Sequence, residues 1–246
     1  MRPVAGLLLL LLLAGCSALK GHEYAVIDPS ENANRASYRI SDGVDRAVLI
    51  PVAQGYRSVT PDWVEKRLVR FFVNLRHVPS ALNGALQGKP ARAATDLGRF
   101  LVNSTVGVAG LFDVASDFGW RFGNEDFGQT LAVWGYTRSR YIYVPFLGPS
   151  TVRDLPTTLF RGALPRVMLG SQYHWGVGVA DVVSRRAGLL DATRARDTTA
   201  LDGYAFTRDA YFQQRTHAVY DGAPPLDDLF DEFDEFDDDE LEDLAD

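Results

Sequence analysis

Cysteine and lysine are scarce in this sequence. Of its 246 residues one is a cysteine, Cys16, and only three of its 25 basic residues are lysine. A single cysteine excludes an intramolecular disulfide bond. The arginine bias suits phosphate contacts through the planar guanidinium, although genomic base composition explains it equally well. The apolar run of leucines at positions 7–13 is too short to cross a bilayer at about 1.5 Å per residue.

Signatures of catalysis and cofactor binding are missing as well. The nucleophile elbow Gly-x-Ser-x-Gly does not occur; its nearest match, GPSTV at 148–152, ends in valine and predicts a helix cap at Ser150. The histidines lack the His-x-x-x-His spacing of a zinc site, and no glycine loop for phosphates or dinucleotides is present. The sequence therefore predicts no enzyme, no cofactor and no metal, and gives no reason to expect a nucleic-acid partner.

The N-terminus has the pattern of an exported lipoprotein. Arg2 precedes the leucine run, and the sequence LAGC at 13–16, in which the run ends, resembles a bacterial lipobox. We expect residues 1–15 to be a signal peptide, Cys16 to be acylated and residues 16–27 to form a polar tether. Several acyl chains would hold the protein at a membrane without a spanning helix. An ordinary cleaved signal with a chance cysteine is the alternative.

The C-terminus is strongly acidic, whereas the rest of the chain is basic. Thirteen of the 32 acidic residues lie at positions 227–246, where no basic residue occurs, so the remainder carries a net charge of +6. A basic body suits an anionic membrane surface, although an ordinary scatter of charge explains it equally well. Residues 223–246 are predicted to form a disordered acidic tail, either solvated or docking its phenylalanines on a basic partner.

Residues 28–222 are predicted to form one mostly helical body. Thr60 and Pro61 are helix-start residues, and apolar positions recur at helical spacing after them. This stripe fits a helix that covers a core and, with its arginines, also a helix at a membrane interface. We further expect a separate short helix from Pro79, a break of the region up to Leu169 by Pro156 and Pro165, and a single strand, YIYV at 141–144.

The most distinctive stretch, residues 96–154, is rich in glycine and small residues. Within it, VGVAGLF at 106–112 suits either a re-entrant interfacial segment or a tightly packed corner. Several motifs resemble the MlaA/VacJ family of outer-membrane lipoproteins: GRF at 98–100, NST at 103–105, GLFD at 110–113, DFGQTL at 126–131 and LGPS at 147–150. The resemblance extends from about Tyr24 to Tyr220.

The resemblance implies an all-α fold, in which short helices form a ring lying in one membrane leaflet around an amphipathic passage. It implies a protein that removes mislocalised phospholipid from the outer leaflet of the outer membrane and hands it to a periplasmic carrier, maintaining lipid asymmetry. The partners implied are phospholipid, the outer-membrane bilayer, a trimeric porin and that carrier. The implied location is the periplasmic face of the outer membrane, anchored through Cys16.

By the same resemblance, Asn34 and Arg35 belong to a helix hairpin that gates the passage. Here Ala33 replaces the aromatic residue usual in the family, and a capped, solvated helix start explains the two residues equally well. Three polar residues are expected to line the passage: Asn103, Gln129 and Arg153. The alternatives to transport are a lipid-anchored envelope scaffold or porin-binding protein, and a phospholipase.

Overall fold

The computed structural model describes residues 28–170 and 173–224. The predicted signal peptide, Cys16, the tether and the acidic positions 227–246 lie outside the described residues. Within them the chain is mostly helical, as predicted, with one short β-hairpin in addition. The helices are α1 (Glu31–Val44), α2 (Ile50–Val59), α3 (Asp62–Leu86), α4 (Pro90–Thr105), α5 (Phe127–Val133), α6 (Leu155–Leu169), α7 (Trp175–Gly188), α8 (Leu190–Thr199) and α9 (Gly203–Val219), and the strands are β1 (Tyr141–Val144) and β2 (Gly148–Thr151).

A π-helical turn joins α1 and α2 into one continuous rod. The turn spans Asp45–Leu49, and the residues on either side of it keep right-handed helical backbone angles. Pro51 follows in the first turn of α2, where its missing N–H coincides with an interruption of the regular hydrogen-bond ladder. The irregular turn places Asp45 opposite α7, where it pairs with Arg186.

Prolines stand within helices without ending them. Helix α3 is 25 residues long and contains Pro79 in its interior. The prediction of a separate short helix from Pro79 is therefore wrong. Pro156 lies in the first turn of α6, where an N–H has no intrahelical partner, and Pro165 lies inside the same helix. The predicted break up to Leu169 is therefore wrong as well. Burial of Leu164 and Pro165 offsets the cost of the missing hydrogen bond.

The hairpin contains the one strand that the sequence predicts. Strand β1 has the predicted bounds and pairs antiparallel with β2, with Tyr141 opposite Thr151. Ser150 lies in β2, with its Oγ 2.9 Å from Oγ1 of Thr158. The predicted helix cap at Ser150 is therefore wrong, because the chain pairs as a strand there and α6 begins at Leu155.

Two small apolar clusters hold helices together. Where α3, α6 and α7 meet, Phe72, Leu75 and Leu164 are buried against partly buried residues of α6 and α7, Met168, Val177 and Ala180. A second cluster joins α2, α7 and α8 through Ala53, Ala187 and Leu190. Both clusters are small for a body of this length, so other groups must fill the rest of the interior.

Candidate functional site

The interior of the described chain is polar. Its buried side chains include 19 polar or charged residues and ten apolar ones, the reverse of a water-soluble domain, which buries mainly apolar residues. A buried polar group left without a partner costs about 1–3 kcal/mol. Three networks of hydrogen bonds and ion pairs account for many of these buried polar groups.

The first network joins α5, the turn after β2 and α9. Arg215 donates to both carboxylate oxygens of Asp126, at 2.6 and 2.7 Å, and to Oδ1 of Asp154 at 2.8 Å. Asp154 also accepts from Arg153 at 3.0 Å and from the hydroxyl of Tyr211 at 2.7 Å. Burial alone would raise the pKa of Asp154, but the Arg153 hydrogen bond and the charge of Arg215 lower it to about 2. The network therefore holds a charged carboxylate in the interior.

Gly128, in the DFGQTL motif, lets α5 approach this network. Asp126 caps α5 by accepting from the N–H of Gln129 at 3.0 Å. A Cβ at position 128 would overlap the carboxylate of Asp154 and the guanidinium of Arg215. Glycine is therefore the residue that the close approach of α5 requires.

The second network joins α3, α4 and the chain before α5. Ser80 donates to Oδ2 of Asp96 at 2.5 Å and accepts from the N–H of Glu125 at 2.8 Å, while Gly123 donates to Oδ1 of Asp96 at 3.0 Å. His77 is buried beside them, with its Nδ1 3.6 Å from Oδ1 of Asp96. The Ser80 hydroxyl is paired with a carboxylate and a backbone N–H, so this cluster does not form the serine–histidine pair of a hydrolase.

The third network is built from the GRF, NST and GLFD motifs. Arg99 donates to both oxygens of Asp113, at 2.8 and 3.0 Å. Asn103 donates to Oδ1 of Asp113 at 3.0 Å and accepts from the N–H of Ala115 at 2.9 Å. Burial would raise the pKa of Asp113, but hydrogen bonds from Ser116 and Asn103 and the charge of Arg99 lower it. These motif residues therefore fix the chain that follows α4.

The exterior of the described chain exposes many large apolar side chains. Thirty-two large apolar side chains are exposed, among them Leu201, Trp175, Val59 and Trp63, which are at least two-thirds exposed. Extended apolar exposure of this kind marks a surface that contacts lipid or protein rather than water. Within residues 28–170 and 173–224, no helix combines the length and the apolar character needed to cross a membrane.

The glycine-rich stretch 106–112 forms an exposed corner. Val108 and Ala109 take left-handed backbone angles, with φ of +52° and +57°, a conformation that residues with a Cβ rarely adopt. Gly110 packs on Asn74 of α3, where a Cβ would overlap the asparagine side chain. Val106 and Val108 are nonetheless exposed. The stretch is thus a packed corner whose backbone faces the protein and whose valines face outward.

Arginines from three helices influence one another beside the cluster of Phe72, Leu75 and Leu164. Burial, together with the charges of Arg185 and Arg161, lowers the pKa of Arg76 to about 10. Burial also lowers the pKa of Arg161, where Asp126 opposes the effect and Arg185 adds to it. The Arg161 side chain is 52% exposed.

A cleft of about 680 Å³ opens between the start of α4, the loop 119–124 and the end of α9. Its volume is in the range of small-molecule sites. Charged, polar and aromatic groups line it together, including Arg92, Arg121, Gln129, His217, Trp120 and Phe122. In the part of the chain that the structure describes, no three metal-ligating side chains are grouped as a metal site would require.

Comparison with known proteins decides the family. A profile of the MlaA lipoprotein family matches residues 26–218. The chain belongs to the MlaA lipoprotein family. The intermembrane phospholipid transport system lipoprotein MlaA of Escherichia coli (strain K12) is 30% identical over 211 residues, which cover 82% of each chain. The protein of the same name from Haemophilus influenzae is 30% identical over 204 residues, covering 79% of this chain and 80% of its own.

A solved structure agrees with this membership. It is described as "Structural basis for maintenance of bacterial outer membrane lipid asymmetry", is 29% identical, and superposes with a TM-score of 0.66 over 78% of this chain and 98% of its own. The MlaA resemblance of the motifs is therefore confirmed, and so is the all-α fold class.

Asn34 and Arg35, the residues of the MlaA-family hairpin motif, tie α1 to distant elements. Buried Asn34 donates to the carbonyl of Tyr141 at 3.2 Å and accepts from the N–H of Tyr143 at 2.9 Å. Arg35 contacts Asp202 at 2.7 Å, and its guanidinium lies 4.5 Å from the ring centroid of Tyr204. Asn34 therefore anchors α1 to β1, and Arg35 anchors α1 to the start of α9. Their gating role in an MlaA-type passage stays a prediction.

The three expected lining residues occupy different settings. Gln129 lines the 680 Å³ cleft. Asn103 and Arg153 are buried within the networks, where Arg153 donates to the carbonyls of Tyr136 and Thr137 as well as to Asp154. The structure does not bring the three together, and their role in the MlaA-type passage stays a prediction.

Sequence reasoning missed Arg76, Arg161 and Arg185. Helix α3 is far in sequence from the consecutive helices α6 and α7, and only its packing on them relates Arg76 to the other two. One signal was available. Polar residues recur every three positions on α3, at Asn74, His77, Ser80 and Asn83, and all four are buried. This polar stripe marks α3 as a helix whose inner face is polar.

Proposed function

We propose that this MlaA-family lipoprotein removes mislocalised phospholipid from the outer leaflet of the outer membrane. It passes the lipid through an amphipathic passage to a periplasmic carrier and so maintains lipid asymmetry. The relatives named for intermembrane phospholipid transport, each about 30% identical over most of both chains, support this proposal. So does the likeness to a structure described by outer-membrane lipid asymmetry.

One observation carries the proposal: the chain has a polar interior under an apolar exterior. A single charged side chain at the bilayer centre costs about 2.5–3.5 kcal/mol even on permissive scales, and a charged head group in hydrocarbon meets a penalty of the same kind. A polar interior lowers this cost, and apolar outer faces such as those of Trp63, Trp175 and Leu201 let the protein lie among acyl chains. A ring of helices in one leaflet is the arrangement that uses both surfaces.

The location we propose is the periplasmic face of the outer membrane, with anchoring through acylated Cys16. Each buried CH₂ contributes about 0.8 kcal/mol, and more than one acyl chain gives a stable anchor. The partners proposed are phospholipid, a trimeric porin and a soluble periplasmic carrier. Networked carboxylates such as Asp96, bound by Ser80 and Gly123, are committed to structure, so the proposal needs no enzymatic step.

The test is the amount of phospholipid exposed at the surface of a deletion strain. Cells lacking the protein should label more strongly with an externally added, membrane-impermeant amine reagent, and the intact gene should restore the parental level. Unchanged surface phospholipid together with altered porin complexes would instead establish a scaffold. Release of fatty acid from vesicles by the purified protein would establish a phospholipase.

A further inference from the structure

The apolar cluster where α3, α6 and α7 meet has arginines beside it on each helix. Phe72 and Leu75 pack against Leu164. Arg76 directly follows Leu75 on α3, and Arg161 lies one turn before Leu164 on α6. Arg185 lies on α7, and its charge acts on both of them. All three arginines therefore lie on the helices that meet at this junction.

The carboxylates at this junction do not balance the arginines. Asp181 is bound by Arg185 through both of its oxygens. Asp126 is bound by Arg215 through both of its oxygens, and Arg161 reaches Asp126 only at 4.0 Å. Within the described residues no carboxylate lies within 4 Å of Arg76. Arg76 is thus a positive charge that no carboxylate of the described residues contacts, although Asp181 acts on it from a distance, and Arg161 has only a 4.0 Å contact with Asp126, which Arg215 also binds.

Arg76 also carries an unsatisfied donor. Its Nε is buried and has no hydrogen-bond partner among the described residues. An orphaned buried donor on a half-buried charged side chain is costly, and the mutual repulsion of the arginines adds to that cost. Such an arrangement indicates a site that an anion completes.

The surroundings specify the kind of anion. Arginine forks bind phosphate oxygens in bidentate fashion, and Arg161 is accessible at 52%. Leu159 and Phe160 lie on other faces of α6 than Arg161 but are exposed, so the exterior of the same helix offers an apolar surface to an acyl chain. A ligand that meets both features has an anionic phosphate joined to an apolar tail.

We propose that Arg76 and Arg161, with Arg185 beside them, bind the phosphodiester of a phospholipid head group at the junction of α3, α6 and α7. This proposal rests on the proposed function and assigns its head-group contact. The phosphate chemistry is shared by free inorganic phosphate, so the test compares the two anions.

The experiment uses the full acylated protein in an uncharged maltoside detergent and calorimetric titration with dihexanoylphosphatidylcholine below its micelle concentration. We expect Arg76→Gln/Arg161→Gln to bind this lipid roughly tenfold or more weakly than the parent. The control Arg57→Gln/Arg194→Gln removes two exposed arginines that contact Asp191, and its affinity should stay within about twofold of the parent. Binding of dihexanoylglycerol, which lacks the phosphate, should be the same in all variants.

A second variant separates the contribution of positive charge to lipid affinity from that of the planar, bidentate guanidinium. Arg76→Lys/Arg161→Lys keeps both charges, so we expect an affinity between those of the parent and the glutamine variant. Because Arg76 contacts no carboxylate among the described residues and Arg161 has only the 4.0 Å contact with Asp126, the glutamine variant should melt at or above the parental Tm. A clear drop in Tm would assign the arginines a structural role and overturn the proposal.

Affinity of the glutamine variant within about twofold of the parent would also overturn it. Inorganic phosphate that binds as tightly as dihexanoylphosphatidylcholine would overturn the lipid assignment.

The head-group site and the transport function can be overturned independently of each other. If the deletion raises surface phospholipid and the glutamine variant restores it fully, the function stands and the head-group site is wrong. If the deletion leaves surface phospholipid unchanged while lipid binding depends on the two arginines, the site stands and the transport function is wrong.

Discussion

Arg186 on α7 and Asp45 in the π-turn form a bidentate ion pair, with Nε 2.6 Å from Oδ1 and Nη2 2.8 Å from Oδ2. The pair is largely buried and joins the first rod of helices to α7. Asp45 points toward α7 because the π-turn has about one more residue per turn than an α-helix, which rotates the side-chain positions about the helix axis at this point.

Replacing Arg186 by Gln should lower the free energy of unfolding by about 3 kcal/mol, because it leaves the Asp45 carboxylate without its partner in a buried setting. Chemical unfolding in detergent measures the change. Arg194→Gln is the control. Its ion pair with Asp191 is exposed, so it should cost at most about 0.5 kcal/mol. Equal effects of the two substitutions would contradict the importance of the buried pair.

Gly128→Ala should disrupt the first network, since the added Cβ overlaps Asp154 and Arg215. We expect a loss of about 2–4 kcal/mol in the free energy of unfolding, comparable to breaking a buried ion pair. Gly162→Ala on α6, where a Cβ meets open space, should be neutral or slightly stabilising. A melting temperature for Gly128→Ala equal to that of the parent would rule out the close approach of α5.

Asp154 should make the folded state sensitive to acid. Its folded-state pKa of about 2 lies below the value of about 3.9 for an unfolded chain. Its charge therefore stabilises the fold above about pH 4, and this contribution is lost as the pH falls from about 4 to 2. The expected loss is about 2.5 kcal/mol.

The measurement is the free energy of unfolding across this pH window for the parent and for Asp154→Asn. The variant should be less stable at pH 6 and should change less between pH 4 and pH 2. Asp191→Asn, whose carboxylate is exposed, should keep the pH dependence of the parent. A parental slope in Asp154→Asn would show that other groups cause it.

Exposed tryptophans should contact acyl chains. We expect phospholipids with brominated tails to quench Trp63 and Trp175 strongly, because these side chains are 67% and 81% exposed. Trp120 lines the polar cleft and should be quenched less. Fluorescence of variants that each keep a single tryptophan, reconstituted in vesicles, makes the comparison. Equal weak quenching at all three sites would place the apolar exterior outside the membrane.

Features with local causes could be predicted from the sequence. Thr60 and Pro61 predicted a helix start at the right place, but Pro61 is itself the N-cap and no side chain caps α3, so the capping role of the Thr60 hydroxyl is wrong. The alternating tyrosines of β1 gave that strand its correct bounds. The proline rules failed at Pro79 and Pro165 because they describe isolated helices. In the folded chain, packing around Leu164 decides whether α6 continues.

The polar interior could not be predicted from periodicity alone. A stripe on a helix shows that two faces differ, but which face turns inward depends on whether the surroundings are water or lipid. On α3 the residues Asn74, His77 and Ser80 are buried while Trp63 and Leu82 are exposed. Convergence of Arg76 and Arg161 likewise depends on tertiary packing and leaves no local signal.

Helix α3 has 25 residues, which gives it a length of about 37 Å. The hydrocarbon layer of one leaflet is only about 15 Å thick, which is half of the hydrocarbon thickness of the whole bilayer. If α3 stood perpendicular to the membrane, Lys66 or the polar residues near Asn83 would lie in the hydrocarbon. In the leaflet that we propose, the helix must recline, and its length then sets the smallest diameter of the patch of lipids that one molecule displaces.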